Sequence, residues 1–192
     1  MDRFLEQVYL REIESQATYA LTTHARMETT LLAGATDAQE FFREAQAMLN
    51  HAGAVSRLLW PPRIADGQKR SRAEARGNEL RKALGIVEPH VLQDRSLRNH
   101  LEHLDERLDD WAESSKNRII GDQLIGPVGV IGGSVVKATE IIRHYDPSTS
   151  TFIFRGELFD MSQLLAGVGE VRRLAQSRLA SLKVSTGGLT RP

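Results

Sequence analysis

The chain has 192 residues, which suits one domain or one domain with an appended piece, and its 41% hydrophobic residues are enough for a core. Lys and Arg (25) balance Asp and Glu (25), whereas a dedicated DNA-coating protein is usually more basic, so any contact with nucleic acid must be local. Cysteine is absent, which excludes disulfides, thiolate metal sites and a cysteine nucleophile, and is compatible with a reducing compartment.

The start, Met1-Asp2-Arg3-Phe4-Leu5-Glu6, lacks the apolar core of a signal peptide. The longest weakly polar stretch, Leu124 to Val136, is punctuated by Gly126, Pro127, Gly129, Gly132 and Gly133 and is too short to span a bilayer. These features lead to the expectation of a cytoplasmic protein without a membrane segment.

In chain order the pattern is helical. Phe4, Val8, Ile13, Ala17, Ala20 and Leu21 fall near one face of a first helix. A second starts at Thr36, which has capping-box spacing to Gln39. Its apolar stripe is Phe41, Ala45, Met48, Ala52, Val55 and Leu59, and Pro61-Pro62 ends it. A third covers roughly Ser71 to Leu84, with Gly85 as its C-terminal cap.

Lys69, Arg70 and Arg72, around the expected start of that third helix after the Pro-rich loop, form a locally basic run that could guide an RNA backbone, with Arg95 further along. A solvated helix face accounts for the run at least as well. A fourth helix is expected from about His90 to Ser114, burying Leu97, Leu101, Leu104, Leu108 and Trp111. Two strands, Val135 to Tyr145 and Thr151 to Phe159, flank the turn Asp146-Pro147-Ser148-Thr149. A last helix starts at Asp160, with Gln163 at capping-box spacing, and buries Leu164, Val168, Val171, Ala175, Leu179 and Leu182.

The fold class that follows is mainly α: a helical bundle with a small β-hairpin between the fourth and last helices. One domain is expected over residues 1–184, with the hairpin at about 135–159 and a flexible tail at 185–192.

Several chemistries lack their parts. His100 and His103, at i and i+3 with His90 upstream, could share a cation, but a third ligand would have to come from elsewhere, and there is no His-Glu-x-x-His. Gly126 to Ser134 lacks the Gly-Lys-Ser/Thr ending of a phosphate-binding loop. No metal or cofactor is therefore expected. Trp60 and Trp111 read as core or interface anchors rather than base-stacking platforms.

The fourth helix carries the strongest chemical signal, Arg98-Asn99-x-x-x-His103. An imidazole moves protons near neutral pH, and a guanidinium holds a phosphate in a planar fork. On a continuous helix, five residues separate Arg98 from His103 by about 140° around the axis. They would straddle the polar face, so two copies meeting across a twofold axis would serve one phosphate better than one copy. The acidic run Glu102, Asp105, Glu106, Asp109, Asp110 and Glu113 confines any RNA to the N-terminal half of the helix.

An arginine, a polar residue and a histidine five positions after the arginine, on a helix of a small α-rich protein, resembles the HEPN superfamily. The match falls on Arg98, Asn99 and His103; the frame Arg95 to His100 has the same spacing but Ser96 after the arginine. The resemblance implies a homodimer and either of two functions. One is a metal-independent endoribonuclease of toxin or phage-defence type, acting on RNA and associated with an antitoxin or other protein partner. The other is a non-catalytic dimerisation or RNA-binding module. For the enzyme it implies His103 as general base or acid, Arg98 on the phosphate oxygens and Asn99 as an orienting hydrogen-bonding group. The hairpin region lies outside the resemblance.

Overall fold

The computed structural model describes residues 1–32, 37–116, 118–127 and 136–187, and the side chains of all these except 97, 98 and 184–187. The protein is mainly helical with one small four-stranded sheet. Among the described residues, no helix is long and apolar enough to cross a membrane. Two compact units are distinguished, one built from residues 1–22, 48–94 and 166–192, the other from 23–47 and 95–165.

The first unit is helical. It holds the first two-thirds of α1 (Arg3–Leu32), the second half of α2 (Ala38–Leu59), α3 (Gly67–Leu84) and most of α6 (Met161–Gly187). Leu10, Ile13, Ala17 and Ala20 are buried on α1, while Phe4 and Val8 are exposed. The buried face is thus rotated from the one expected at the helix start. Met48, Ala52, Val55 and Leu59 are all buried on α2, as its stripe requires. Val168, Val171, Ala175, Leu179 and Leu182 are buried on α6.

Local signals set the ends of α3. Asp66 accepts hydrogen bonds from the Gln68 and Lys69 amides at its N-terminus, and Gly85 closes it at φ 65° in the left-handed region. Gly77 allows α3 to approach the end of α2, since a Cβ there would lie 2.6 Å from the Leu59 carbonyl oxygen. A 3₁₀ turn at Val91–Gln93 follows, and the Leu92 carbonyl accepts a 2.6 Å hydrogen bond from Ser56.

The second unit centres on the sheet, with strand order β1 (Leu124–Ile125), β2 (Arg143–Asp146), β3 (Thr151–Phe154) and β4 (Glu157–Asp160). β1 runs parallel to β2, and β2, β3 and β4 form an antiparallel meander with Tyr145 opposite Phe152 and Phe152 opposite Phe159. Phe41 and Phe42 of α2 cover it, at ring-centroid distances of 4.8 Å to Tyr145 and 5.8 Å to Phe152.

The expected two-stranded hairpin is therefore corrected to a larger sheet. The β2–β3 turn lies where the sequence put it, with the Asp146 carboxylate accepting from the Ser148 amide. Thr151 to Phe159, however, is two strands and not one. Arg155 at φ 48° and Gly156 at φ 89° form a two-residue turn of the kind that matches strand twist, and the chain doubles back. The stretch before β2 is also different: Ala138–Glu140 is a 3₁₀ turn, and the expected strand start at Val135 lies outside the described residues.

The expected cap at Thr36 likewise lies outside them; the described cap of α2 is Asp37, whose carboxylate accepts from the Glu40 amide. Asp160 caps α6 through the Gln163 amide, as its spacing requires. Residues 185–187 of the expected flexible tail belong to α6, and its remainder, 188–192, lies outside the described residues.

Candidate functional site

The motif segment is not one helix. After the 3₁₀ turn come α4 (Ser96–Glu102) and α5 (Leu104–Ser114), separated by the single residue His103. His103 has φ −113° and ψ 40°, so it is both the C-terminal cap of α4 and the N-terminal cap of α5. Its amide donates to the Asn99 carbonyl at 3.0 Å, and its carbonyl accepts from the Arg107 amide at 3.2 Å.

Charge favours a break here. In a continuous helix Glu102 would face Asp105 and Glu106 at spacings where like charges repel, whereas the Asp105–Asp109 spacing persists within α5. Restarting the helix at Leu104 puts Asp105 and Glu106 in a first turn, where the positive end of the helix dipole favours them.

The break corrects two expectations. The angular separation of Arg98 and His103 on one cylinder no longer holds, because His103 is outside helical geometry. The buried stripe also ends early: Leu101 is buried, Leu104 and Trp111 are half-buried, Leu108 is 39% exposed, and α5 buries no residue. Other contacts hold α5. Trp111 donates through Nε1 to the Ile119 carbonyl at 2.9 Å, and Arg155, from the β3–β4 turn, donates to the Arg107 carbonyl at 3.1 Å.

The motif side chains are placed as follows. His103 is exposed, its side chain at 53%, and its Nδ1 lies 3.1 Å from Glu106 Oε1. Asn99 is exposed on α4 and is tied to His103 through its backbone carbonyl. Arg98 is on α4 by its backbone, and its side chain lies outside the described residues, as does that of Leu97. Arg95, half-buried, caps the start of α4 without a side-chain hydrogen bond to it. Lys69, Arg70 and Arg72 are on α3 in the first unit, where Lys69 Nζ is 3.9 Å from Asp66 Oδ2.

His100, in the poorer motif frame, does something else. Its ring stacks on Phe154 at 4.9 Å with planes 13° apart, and Nε2 lies 3.1 Å from Glu157 Oε2. This ties α4 to the β3–β4 end of the sheet. Sequence spacing gave no sign of it, because 57 residues separate the partners. Glu106, read in the sequence only as one of an acidic run, lies three residues after His103, and its carboxylate stands beside the His103 ring.

Among the described residues, no group of three or more His, Cys, Asp or Glu side chains could hold a metal ion. A recess in the first unit lies beside Glu6 and Glu79, which are already paired with Arg178 and the Met1 ammonium. No family model, no curated protein and no solved structure matches the chain.

Proposed function

We propose that the chain is an HEPN-like, metal-independent endoribonuclease of toxin or defence type. In this reading its helices form a bundle that pairs with a second copy, and Arg98 of each copy serves His103 of the other. One observation carries it. His103 occupies the one-residue break between α4 and α5 with its ring more than half open to solvent, directly after the helix that bears Arg98 and Asn99.

A proton carrier must reach its substrate, and an imidazole on a helix junction is open to a backbone phosphate. In the reaction His103 takes the proton of an RNA 2′-hydroxyl. The O2′–P bond forms and the P–O5′ bond breaks; the departing 5′-oxygen takes a proton from water. The products are a 2′,3′-cyclic phosphate and a 5′-hydroxyl. Arg98 offsets charge on the non-bridging oxygens, and Asn99 hydrogen-bonds the phosphate. Arg95, Lys69, Arg70 and Arg72 are assigned a minor part in holding the RNA backbone. An antitoxin or other protein partner belongs to the same reading. Incubation with total RNA in EDTA tests it: the wild type cleaves, His103→Ala does not, and equal cleavage by both rejects the mechanism.

A second reading has its own support. Glu102, Asp105, Glu106, Asp109, Asp110 and Glu113 are all exposed around His103, and this repels phosphate. It favours a non-catalytic dimerisation module, for which neither protein cleaves RNA.

A further inference from the structure

We infer that Glu106 is the positioning residue for His103, fixing which ring nitrogen takes the proton. The inference rests on the ribonuclease reading above and goes beyond it by naming the reactive atom. His103 is the N-terminal cap of α5, and Glu106 is the third residue of that helix. In the usual capping box a glutamate at this position reaches back to the cap residue's amide. Here that amide is already bonded to the Asn99 carbonyl at 3.0 Å. The carboxylate meets the ring instead, with Glu106 Oε1 3.1 Å from His103 Nδ1.

A carboxylate only accepts, so Nδ1 must carry the hydrogen, and the neutral ring then bears its lone pair on Nε2. Nε2 is therefore the atom that takes the 2′-hydroxyl proton as the O2′–P bond forms and the P–O5′ bond breaks. Glu106 then faces the imidazolium with its negative charge. This is the logic by which a carboxylate behind a catalytic histidine sets its tautomer and orientation.

The pair sits at the helix break. The i, i+3 spacing makes the two side chains neighbours on a continuous helix as well. At a cap a glutamate three residues on is the helix residue whose side chain returns to the cap position. Both side chains are more than half exposed, at 53% and 62%, so the pair adds little to folding stability. Its effect is on orientation.

The test uses the full chain, with an end-labelled random-sequence oligoribonucleotide in EDTA and ¹⁵N-histidine NMR of the His103 ring at mildly alkaline pH. In the wild type the Nδ1–H tautomer dominates. In Glu106→Ala it gives way to Nε2–H, kcat falls about tenfold to a hundredfold with KM unchanged, and the thermal midpoint stays put. Glu106→Gln, whose amide oxygen still accepts from Nδ1–H, keeps the tautomer and recovers part of kcat. An active Glu106→Ala with wild-type kcat, or with its tautomer unchanged, overturns the assignment of Glu106 alone. A wild type that cleaves nothing overturns the ribonuclease reading and this catalytic role with it, and the NMR tautomer then reports separately whether the pair forms.

Discussion

In the first unit the His90 imidazole lies stacked on the Trp60 indole, ring centroids 5.3 Å apart and planes inclined by 21°. Its side chain is only 7% exposed, Nδ1 accepts the Leu92 amide at 3.1 Å, and the buried Nε2 has no hydrogen-bond partner. Glu170 Oε2 stands 3.9 Å away. Burial lowers the His90 pKa from its ordinary 6.5, and the Glu170 charge opposes this only in part.

The sign of the consequence is fixed. Above about pH 6.5 His90 is neutral whether the chain is folded or unfolded. As the pH falls through that value the unfolded chain binds a proton that the folded one refuses, so stability drops until the lowered folded pKa is passed. Denaturant midpoints measured from about pH 7.5 to about pH 5 will fall more steeply for the wild type than for His90→Gln. Parallel curves would mean that His90 is not held neutral by its site.

Gly167 of α6 leaves no room for a side chain. A Cβ there would lie 2.3 Å from Val91 Cγ1 and 3.3 Å from His90 Cε1. Gly167→Ala should destabilise the fold by about 1–3 kcal/mol, the usual cost of overpacking, offset slightly by the better helix propensity of alanine. Thermal denaturation reads this directly; a stabilised variant would show that the 3₁₀ turn is not seated on α6.

Gly156 tests the β3–β4 turn. It sits at φ 89°, and a Cβ there would be 3.2 Å from the Ala138 Cβ. Gly156→Ala should cost about 1–2 kcal/mol, because an L-residue is strained in that conformation. An unchanged denaturant midpoint would contradict a tight turn at this point.

The stripes of α2 and α6 were legible because each repeats at helical spacing over many turns, as Phe41 to Leu59 and Val168 to Leu182 do. Asp160 and Gly85 marked helix ends through the chemistry of a cap and a left-handed turn. The split of the motif segment was not legible. Leu97 to Trp111 keeps helical spacing, and the break at His103 leaves that apolar period intact. The second strand pair was hidden for a similar reason: Thr151 to Phe159 is apolar enough for one strand, and only Gly156 marks the reversal. At the candidate site, Arg98, Asn99 and His103 were picked out by spacing alone, whereas the ring contacts of His103 with Glu106 and of His100 with Glu157 are seen only in the structure.

Pairing across a twofold axis makes its own prediction. Arg98→Ala and His103→Ala variants should each be inactive alone. Mixed and allowed to exchange subunits, they should recover about a quarter of wild-type activity, since half the dimers are mixed and each of these has one intact site. A mixture no more active than its parents would put Arg98 and His103 of a single copy together, or neither at a site.

The most direct measurement is the chemical identity of the RNA ends. After incubation with the wild type in EDTA, mass spectrometry should find new 2′,3′-cyclic phosphate and 5′-hydroxyl ends, and neither with His103→Ala. Absence of these ends from the wild-type reaction, or their persistence in His103→Ala, would contradict His103-dependent RNA cleavage.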